Sequence, residues 1–273
     1  MTDSDPRPGA DPSASDAAVV PDLVARERRS DRPAVVDAAR GRTHSYADVC
    51  TTAYKAGNVL RHLGVHDGAR VAVEAAPAFQ PLTTFLGSAL LGAVTAFDAA
   101  PGTDARVVVV DARRESEFDL PPGSKLCAFG GAPDRADTTH WEGEVWSENP
   151  AFPPATYDPD APVLAADGAT HDHATLLDAA RGAVDALDLT ADDRVDLRAP
   201  LSDPRAVAAG VLAPLLAGGA VRLPVVGAEG GESGEADAAE AATAAVATGD
   251  SDPPDAPDVP TLWLADVSLS RSG

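Results

Sequence analysis

The sequence predicts an α/β fold with two layered subdomains and mostly parallel sheets. Short apolar runs alternate with segments of helical periodicity along most of the chain, an order typical of βαβ units. Four consecutive valines at 107–110 are typical of a strand buried on both faces, as the central strands of parallel sheets are. Both observations favour parallel sheets covered by helices.

The first predicted subdomain covers residues 19–130. Ser45 is expected to cap a helix, because its hydroxyl can accept from a free backbone N–H and Asp48 places a negative charge in the first turn. Gly64 is expected to end this helix, because glycine readily adopts the left-handed conformation of helix C-termini. The other predicted elements are helices at 19–29 and 79–91 and strands at 33–37, 43–46, 70–74, 93–97, 106–111 and 125–129.

The second predicted subdomain covers residues 161–273 and follows a linker or long surface loop at 131–160. Within it, residues 229–258 are expected to be an acidic segment with flexible edges and room for one helix at 236–247. Residues 1–18 are expected to be a disordered acidic leader, not a signal peptide, because they lack a basic start and an apolar core. The other predicted elements are strands at 163–166, 195–199, 220–225 and 259–267 and helices at 173–187 and 204–216.

The chain is strongly acidic, with a net charge of −22 at pH 7 and a pI near 4.4. Acidic residues occur in nearly every segment, and only Lys55 and Lys125 are lysines. This composition is typical of a halophilic protein from a high-salt cytoplasm, where molar salt screens like charges over about 3 Å. The alternative is an ordinary acidic protein from a mesophile.

The charge and composition also bear on partners and compartment. Such a surface repels phosphate backbones and anionic lipids, so we expect no nucleic-acid partner and no membrane partner. No apolar run approaches about 18 residues, so no membrane-spanning segment is predicted. Cys50 and Cys127 stand apart without a Cys-x-x-Cys pattern, and we expect both to be buried thiols of a cytoplasmic protein.

A pattern of short motifs runs through the first half of the chain. The strand pair around 34–46 leads into the helix start Ser45-Tyr-Ala-Asp-Val. The turn Leu63-Gly-Val-His-Asp-Gly68-Ala-Arg-Val leads into the next strand. Residues 85–94, with the sequence Phe-Leu-Gly-Ser-Ala-Leu-Leu-Gly-Ala-Val, form a helix-to-strand step.

The second half continues the pattern with Thr170-His171, the turn at 189–195 and the helix-to-strand step at 212–221. In this order, over about 30–110 and 160–225, the chain resembles the adenylate-forming, AMP-binding enzyme family. That family includes acyl-CoA synthetases, luciferases and peptide-synthetase adenylation domains. The resemblance implies the fold of the N-terminal domain of an AMP-dependent synthetase or ligase, in truncated and degenerate form.

The resemblance also implies which catalytic parts to look for. The family activates a carboxylate by attack on the ATP α-phosphate, using a Ser/Thr/Gly-rich loop ending in Pro-Lys-Gly to wrap the phosphates. At that place this chain has Val163-Leu-Ala-Ala-Asp-Gly-Ala169, with one glycine, no lysine and an aspartate. The adenine, ribose, Mg²⁺ and lid motifs of the family have no counterpart either. We therefore assign no catalytic, cofactor-binding or metal-ligating residue.

Other constellations are weaker. His171-Asp-His173, with Asp167 nearby, offers two imidazoles to a metal but has no third ligand at a suitable spacing, so we interpret His171 as part of the family's Thr-His pair. The cluster at 140–146 is interpreted as two tryptophans that anchor a loop on the sheet, rather than as a ligand contact. No serine lies in a Gly-x-Ser-x-Gly elbow, and the acidic run at 229–258 is interpreted as solvated.

The expected function is that of a non-catalytic homologue with a binding or regulatory role and no cofactor. It would retain part of an acyl or carboxylate pocket, or pair with a full-length synthetase. The alternative is an enzyme, in which this chain is half of an AMP-forming acid–CoA ligase that uses ATP or AMP and CoA. The complementary chain would then carry the later motifs. A third interpretation is a decaying fragment without a selected role.

Overall fold

The computed structural model describes residues 16–153, 155–223, 241–248 and 259–270. These residues form two mostly parallel sheets flanked by helices, which confirms the predicted fold class. Residues 1–15 of the predicted leader and most of the acidic segment predicted at 229–258 lie outside the described residues.

Most of the described strands begin and end close to their predicted positions. In chain order the strands are β1 (Pro33–Asp37), β2 (Arg42–Ser45), β3 (Arg70–Val73), β4 (Val94–Ala96), β5 (Val107–Asp111), β6 (Lys125–Phe129), β7 (Thr139–His140), β8 (Pro162–Ala166), β9 (Ala169–Asp172), β10 (Arg194–Arg198), β11 (Ala220–Leu223), β12 (Ala244–Ala247) and β13 (Thr261–Trp263). The strand predicted at 259–267 is limited to three residues and is followed by a 3-10 helix at Leu264–Asp266.

The helices alternate with these strands. They are α1 (Tyr46–His62), α2 (Phe79–Ala89), α3 (Trp141–Ser147), α4 (His173–Ala186), α5 (Pro204–Ala206) and α6 (Ala213–Ala217). A π-helical stretch, Val207–Leu212, joins α5 to α6, and short 3-10 helices lie at Val20–Val24, Arg26–Arg28, Ala112–Glu117 and Leu264–Asp266. The predicted cap of α1 is confirmed: the Ser45 hydroxyl accepts from the Asp48 N–H at 3.1 Å, and the Asp48 carboxylate accepts from the Ser45 N–H at 2.9 Å.

The strands build two sheets. One has seven strands in the order β7-β6-β5-β3-β4-β8-β9, and the other has six in the order β13-β12-β10-β11-β1-β2. Neighbouring strands run parallel except in the β1–β2 and β8–β9 hairpins, each of which lies at one end of its sheet. The carboxyl ends of the parallel strands in each sheet therefore share one edge.

The two halves of the chain exchange these hairpins. The β1–β2 hairpin joins the six-stranded sheet by pairing β1 with β11, and the β8–β9 hairpin joins the seven-stranded sheet by pairing β8 with β4. The predicted subdomains at 19–130 and 161–273 therefore do not coincide with the two sheets. The reason is that strand partners far apart in sequence leave no mark in local periodicity.

The predicted linker at 131–160 also differs from the structure. It contains β7, which extends the seven-stranded sheet beside β6, and α3, which packs on β6 and α1. Trp141 and Val145 on α3 are buried, so this segment adds to the core.

The main core lies between the sheets. Helix α1 packs on β1 and β2, α2 packs on β3 and β4, and the two helices pack on each other, which joins the sheets through one large apolar cluster. The four valines of β5 confirm the predicted burial on both faces. Val107 and Val109 belong to this cluster, while Val108 and Val110 belong to a smaller cluster on the opposite face around Phe118.

Three local predictions need correction. The helix predicted at 19–29 is two 3-10 helices separated by extended backbone at Ala25. The described end of the helix predicted at 236–247 is the strand β12, because these small residues pair with β10 and β13 on both sides. The strand β9 was not predicted, since its polar residues lack an apolar run.

One finding bears on membrane association. Within the described ranges, no helix combines the length and the apolar character needed to cross a bilayer.

Candidate functional site

The β8–β9 hairpin lies where the resemblance places the phosphate loop. Ala166 and Ala169 are the last paired residues of the hairpin, so only Asp167 and Gly168 connect the two strands. Both have positive φ, 50° and 77°, which is the backbone of a type I′ turn, and Asp-Gly is a preferred sequence for it. The chain therefore closes this position with the shortest common hairpin turn.

The charges beside this turn are already paired. Asp203 caps α5, and its two carboxylate oxygens accept from Arg205 at 3.0 and 2.7 Å. Burial opposes ionisation of Asp203, but the hydrogen bonds from Arg205 outweigh it and lower the pKa of the carboxyl. The same bonds raise the pKa of Arg205, helped by the charges of Asp203 and Asp167. Arg205 is thus held close to the turn by a carboxylate.

The loops that follow β3 and β10 meet between the sheets. The Leu201 N–H donates to the Ala75 carbonyl at 3.3 Å. On the β3 side, the Glu74 carboxylate accepts from the Asp111 N–H at 2.6 Å and lies 3.6 Å from Arg114. This is the edge at which the carboxyl ends of parallel strands usually form a ligand site in α/β sheets.

The arginines near these strand ends are engaged by carboxylates. Arg113 forms two hydrogen bonds of 2.8 Å with Asp111, and these bonds lower the pKa of the carboxyl. The described arginines at or near this edge that form ion pairs are Arg40 with Asp37, Arg113 with Asp111, Arg114 with Glu117 and Glu74, Arg198 with Asp196, and Arg205 with Asp203. A phosphate arriving here would compete with carboxylates for each of these cations.

The two histidines of the His171-Asp-His173 motif have separate roles. His173 is buried, with 1% of its surface exposed, and its Nδ1 accepts from the Val20 N–H at 3.2 Å. Burial lowers the pKa of His173 to about 4, so the imidazole is neutral and serves the core. His171 lies on β9 opposite Leu164. Among the described residues no group of three potential ligands comes together to hold a metal ion.

The two tryptophans of the cluster at 140–146 also separate. Trp141 is buried and donates its indole N–H to the Thr84 hydroxyl at 3.0 Å, so it anchors α3 on α2. Trp146 has 86% of its surface exposed. The prediction that both tryptophans anchor this segment is therefore correct for Trp141 and wrong for Trp146.

The cysteines are buried, as predicted, and are not positioned for catalysis. Cys50 on α1 has its pKa raised to about 11, mainly because burial disfavours the thiolate. Cys127 lies in the middle of β6, where burial and then the charges of Glu142 and Glu144 raise its pKa far above the usual range. Neither is a reactive thiol near neutral pH.

Sequence reasoning missed two charged groups that the fold creates. Asp196 is 5% exposed and accepts from Arg198 at 3.0 Å and from Arg222 at 2.9 Å, which forms a buried cluster across β10 and β11. Arg28 is 6% exposed and lines a small cavity at the amino ends of the strands in the six-stranded sheet, opposite to their carboxyl ends. Asp196 lies in a strand with alternating charges, and Arg28 lies in a cluster of arginines. Both patterns are common on protein surfaces, so neither predicted a buried charge.

Comparison with known proteins relates part of the chain to one family. The sequence profile of the family described as AMP-binding enzyme matches residues 23–138. No curated protein sequence matches the chain significantly.

Solved structures share the fold over most of this chain. ATP-bound MatB from Rhodopseudomonas palustris is 18% identical, with a TM-score of 0.63 over 76% of this chain and 45% of its own. The anthranilate CoA ligase AuaEII, solved with anthranoyl-AMP, is 19% identical, with a TM-score of 0.63 over 77% of this chain and 46% of its own. The N-terminal domain of FACL13 from Mycobacterium tuberculosis is 19% identical, with a TM-score of 0.61 over 76% of this chain and 57% of its own.

The matched region is only part of these relatives, since it spans about 45% of the length of MatB. At these identities the likeness concerns the fold alone. Residues 23–138 match the profile of the AMP-binding enzyme family, and the described chain has the α/β fold of the N-terminal domain of adenylate-forming ligases.

Proposed function

We propose that this chain is a non-catalytic member of the AMP-binding family with a binding or regulatory role. The observation that carries the proposal is the Asp167-Gly168 turn at the position of the phosphate loop. A phosphate loop surrounds the triphosphate with successive backbone N–H groups, and a two-residue turn supplies at most two. The site that would hold the triphosphate is therefore replaced by a closed hairpin.

The charges near the turn support the same proposal. Asp167 adds a negative charge where the triphosphate would lie, and Arg205, whose charge interacts with that of Asp167, is bound in bidentate fashion by Asp203. Freeing Arg205 would leave Asp203 without its partner, and ATP would have to overcome that loss. Electrostatic stabilisation of the transferring group is usually the largest catalytic contribution, so its loss removes the reaction.

The proposed role leaves two kinds of partner. One is an acyl or carboxylate ligand, held by what remains of the family's substrate pocket. The other is a full-length synthetase. It would bind the surface of this chain that further elements of the family fold would cover. The alternative is that a complementary chain completes an AMP-forming acid–CoA ligase, in which case ATP and CoA become substrates. That chain would have to supply the phosphate loop.

Formation of an AMP ester tests the proposal directly. The purified chain is incubated in about 2 M KCl with Mg-ATP and a panel of carboxylic acids, and pyrophosphate release is measured. We expect none above background. The anthranilate CoA ligase AuaEII in its own buffer provides the positive control for the assay, since it has been solved with anthranoyl-AMP. Release of pyrophosphate by this chain alone would overturn the proposal, and release only with a second chain would establish the half-subunit alternative.

A matched variant separates turn length from turn charge. Asp167→Asn removes the negative charge and keeps a residue that favours positive φ. We expect this variant to remain inactive, because the turn still offers too few N–H groups. Gain of activity would show that the charge of Asp167, and not the length of the turn, disables the site.

A further inference from the structure

We propose that the cavity beside Arg28 binds a small monovalent inorganic anion, which is chloride when the surrounding salt is KCl. The cavity is lined by Arg28, Ser30, Arg32, Tyr46, Ala191 and Gly218. It lies where the chain enters β1 and β11, at the amino ends of the six-stranded sheet. It is therefore separate from the edge that carries the Asp167-Gly168 turn.

The first argument is the incomplete bonding of Arg28. Its guanidinium is buried and donates through Nη2 to the Leu215 carbonyl at the end of α6. The other two nitrogens, Nε and Nη1, are buried and have no hydrogen-bond partner. A buried cation with two free donors is costly unless another group completes its shell.

The second argument is the missing counter-charge. No carboxylate of the described residues forms an ion pair with Arg28, whereas the described arginines near the carboxyl edge are paired with aspartate or glutamate. The ring of Tyr46 lies 5.4 Å from the Arg28 guanidinium carbon and contributes only its π face. In a chain with a net charge of −22, an arginine left without a carboxylate in a cavity is the place where an anion fits.

The cavity lining suits an anion in two further ways. Arg32 lines the cavity as a second cation, and its own partner, Asp192, is fully exposed and therefore well screened at high salt. No carboxylate is among the six lining residues.

The size of the cavity limits the ligand. Its volume is about 40 Å³, and a single water requires about 10–15 Å³ on this measure. A halide with one or two waters fits this space. A larger organic anion would have to leave its substituents outside this space, where the cavity opens to solvent.

Replacement of the anion tests the proposal. Thermal unfolding is followed at a fixed potassium concentration of about 2 M while chloride is replaced by gluconate, whose substituted carboxylate is bulkier than a halide. Because a ligand that binds the folded state raises the Tm by mass action, we expect the Tm to fall by about 5 °C in gluconate beyond the general salt effect. In the Arg28→Met variant, this additional fall in Tm on replacing chloride by gluconate should be absent.

Arg29→Met is the matched control. Arg29 is exposed, adjacent and of the same charge, so this variant shows the general effect of anion type on an unchanged cavity. Arg29→Met should retain the full difference between chloride and gluconate. An equal response of the two variants would contradict the site.

Diffraction gives a second test that does not depend on the folding of a variant. In crystals grown from KBr, bromide has an anomalous signal that locates it. We expect an anomalous peak in the cavity beside the Arg28 guanidinium. A cavity without such a peak, with only water density, would overturn the proposal even if the unfolding data showed an anion effect.

Discussion

The two halves of the chain repeat one architecture with different residues at matching places. Each half runs hairpin, helix, strand, helix, strand: β1–β2, α1, β3, α2, β4 in the first and β8–β9, α4, β10, the α5–α6 segment, β11 in the second. Each hairpin leaves its own half and pairs with the last of these strands in the other. The halves are therefore interlocked and not merely adjacent.

The first residue of the helix after each hairpin shows how the halves differ. Tyr46 begins α1 and donates its hydroxyl to the Gly219 carbonyl at 2.8 Å, whereas His173 begins α4 and accepts from the Val20 N–H. Both rings are buried and both bond to a distant segment. The first contact does not titrate near neutrality or in mild acid, whereas the second is lost when the His173 imidazole is protonated near pH 4. The same position therefore serves as a pH-independent tether in one half and as an acid-sensitive one in the other.

The two hairpin turns differ in length. The first connects Asp37 to Arg42 through four residues, and Arg40 returns to pair with Asp37. The second connects its strands through Asp167 and Gly168 alone. One architecture can therefore hold turns of different length without disturbing the sheets.

The largest expected effect is acid sensitivity of the second half through His173. Its pKa is about 4 in the folded state against an ordinary 6.5, so the unfolded chain binds the proton more readily. This contribution to stability is complete above pH 6.5 and is lost as the pH falls towards 4. We expect the free energy of unfolding to drop by about 2 kcal/mol between about pH 7.5 and pH 5, measured by denaturant titration in KCl.

His173→Asn isolates that contribution. The amide oxygen can still accept from Val20, and it does not titrate in this range. The variant should lose the drop that belongs to His173, so its unfolding free energy should change less over the same interval. An unchanged pH dependence would mean that carboxylates, and not the buried imidazole, control acid unfolding.

Helix packing gives the next effect, through glycines that differ between the halves. A Cβ on Gly87 of α2 would lie 2.7 Å from the Gly57 nitrogen and 2.8 Å from the Ala53 carbonyl oxygen of α1, both backbone atoms. Gly87→Ala should therefore push the helices apart and destabilise the chain by about 2 kcal/mol. Gly182→Ala on α4 is the matched control, because a Cβ there meets nothing within 4 Å. It should stabilise by about 0.5–1 kcal/mol in the same denaturant titrations.

The smallest expected effect concerns the tether in the first half. Tyr46→Phe removes the hydroxyl that bonds to Gly219 and keeps the ring beside Arg28. We expect a loss of about 1 kcal/mol that is the same at pH 7.5 and at pH 5. If the loss varied with pH, the contrast between Tyr46 and His173 would be wrong.

Local signals allowed much of the fold to be predicted. The Ser45 cap, the four valines of β5 and the bounds of β6 follow from short-range chemistry, and the structure confirms them. The exchange of hairpins and the strand β12 depend on partners far along the chain, so periodicity could not show them. The burial of Arg28 is equally non-local, because arginine is mostly exposed and its sequence gives no reason to place it inside.

The candidate site, like the fold, could be predicted from the sequence only in part. The absence of a glycine-rich loop before Thr170 was visible in the sequence. That the replacement is a two-residue turn required the pairing of Ala166 with Ala169. The engagement of Arg205 by Asp203 needed the positions of both side chains.

Nucleotide binding is the measurement that tests the central claim most directly. Thermal unfolding is followed in about 2–3 M KCl, at constant chloride, with and without Mg-ATP, AMP, CoA and a panel of carboxylic acids. A ligand that binds the folded chain raises its Tm. The closed turn at Asp167-Gly168 predicts no rise with ATP or AMP, whereas a rise that saturates with either nucleotide would contradict the account and return the chain to the adenylating enzymes.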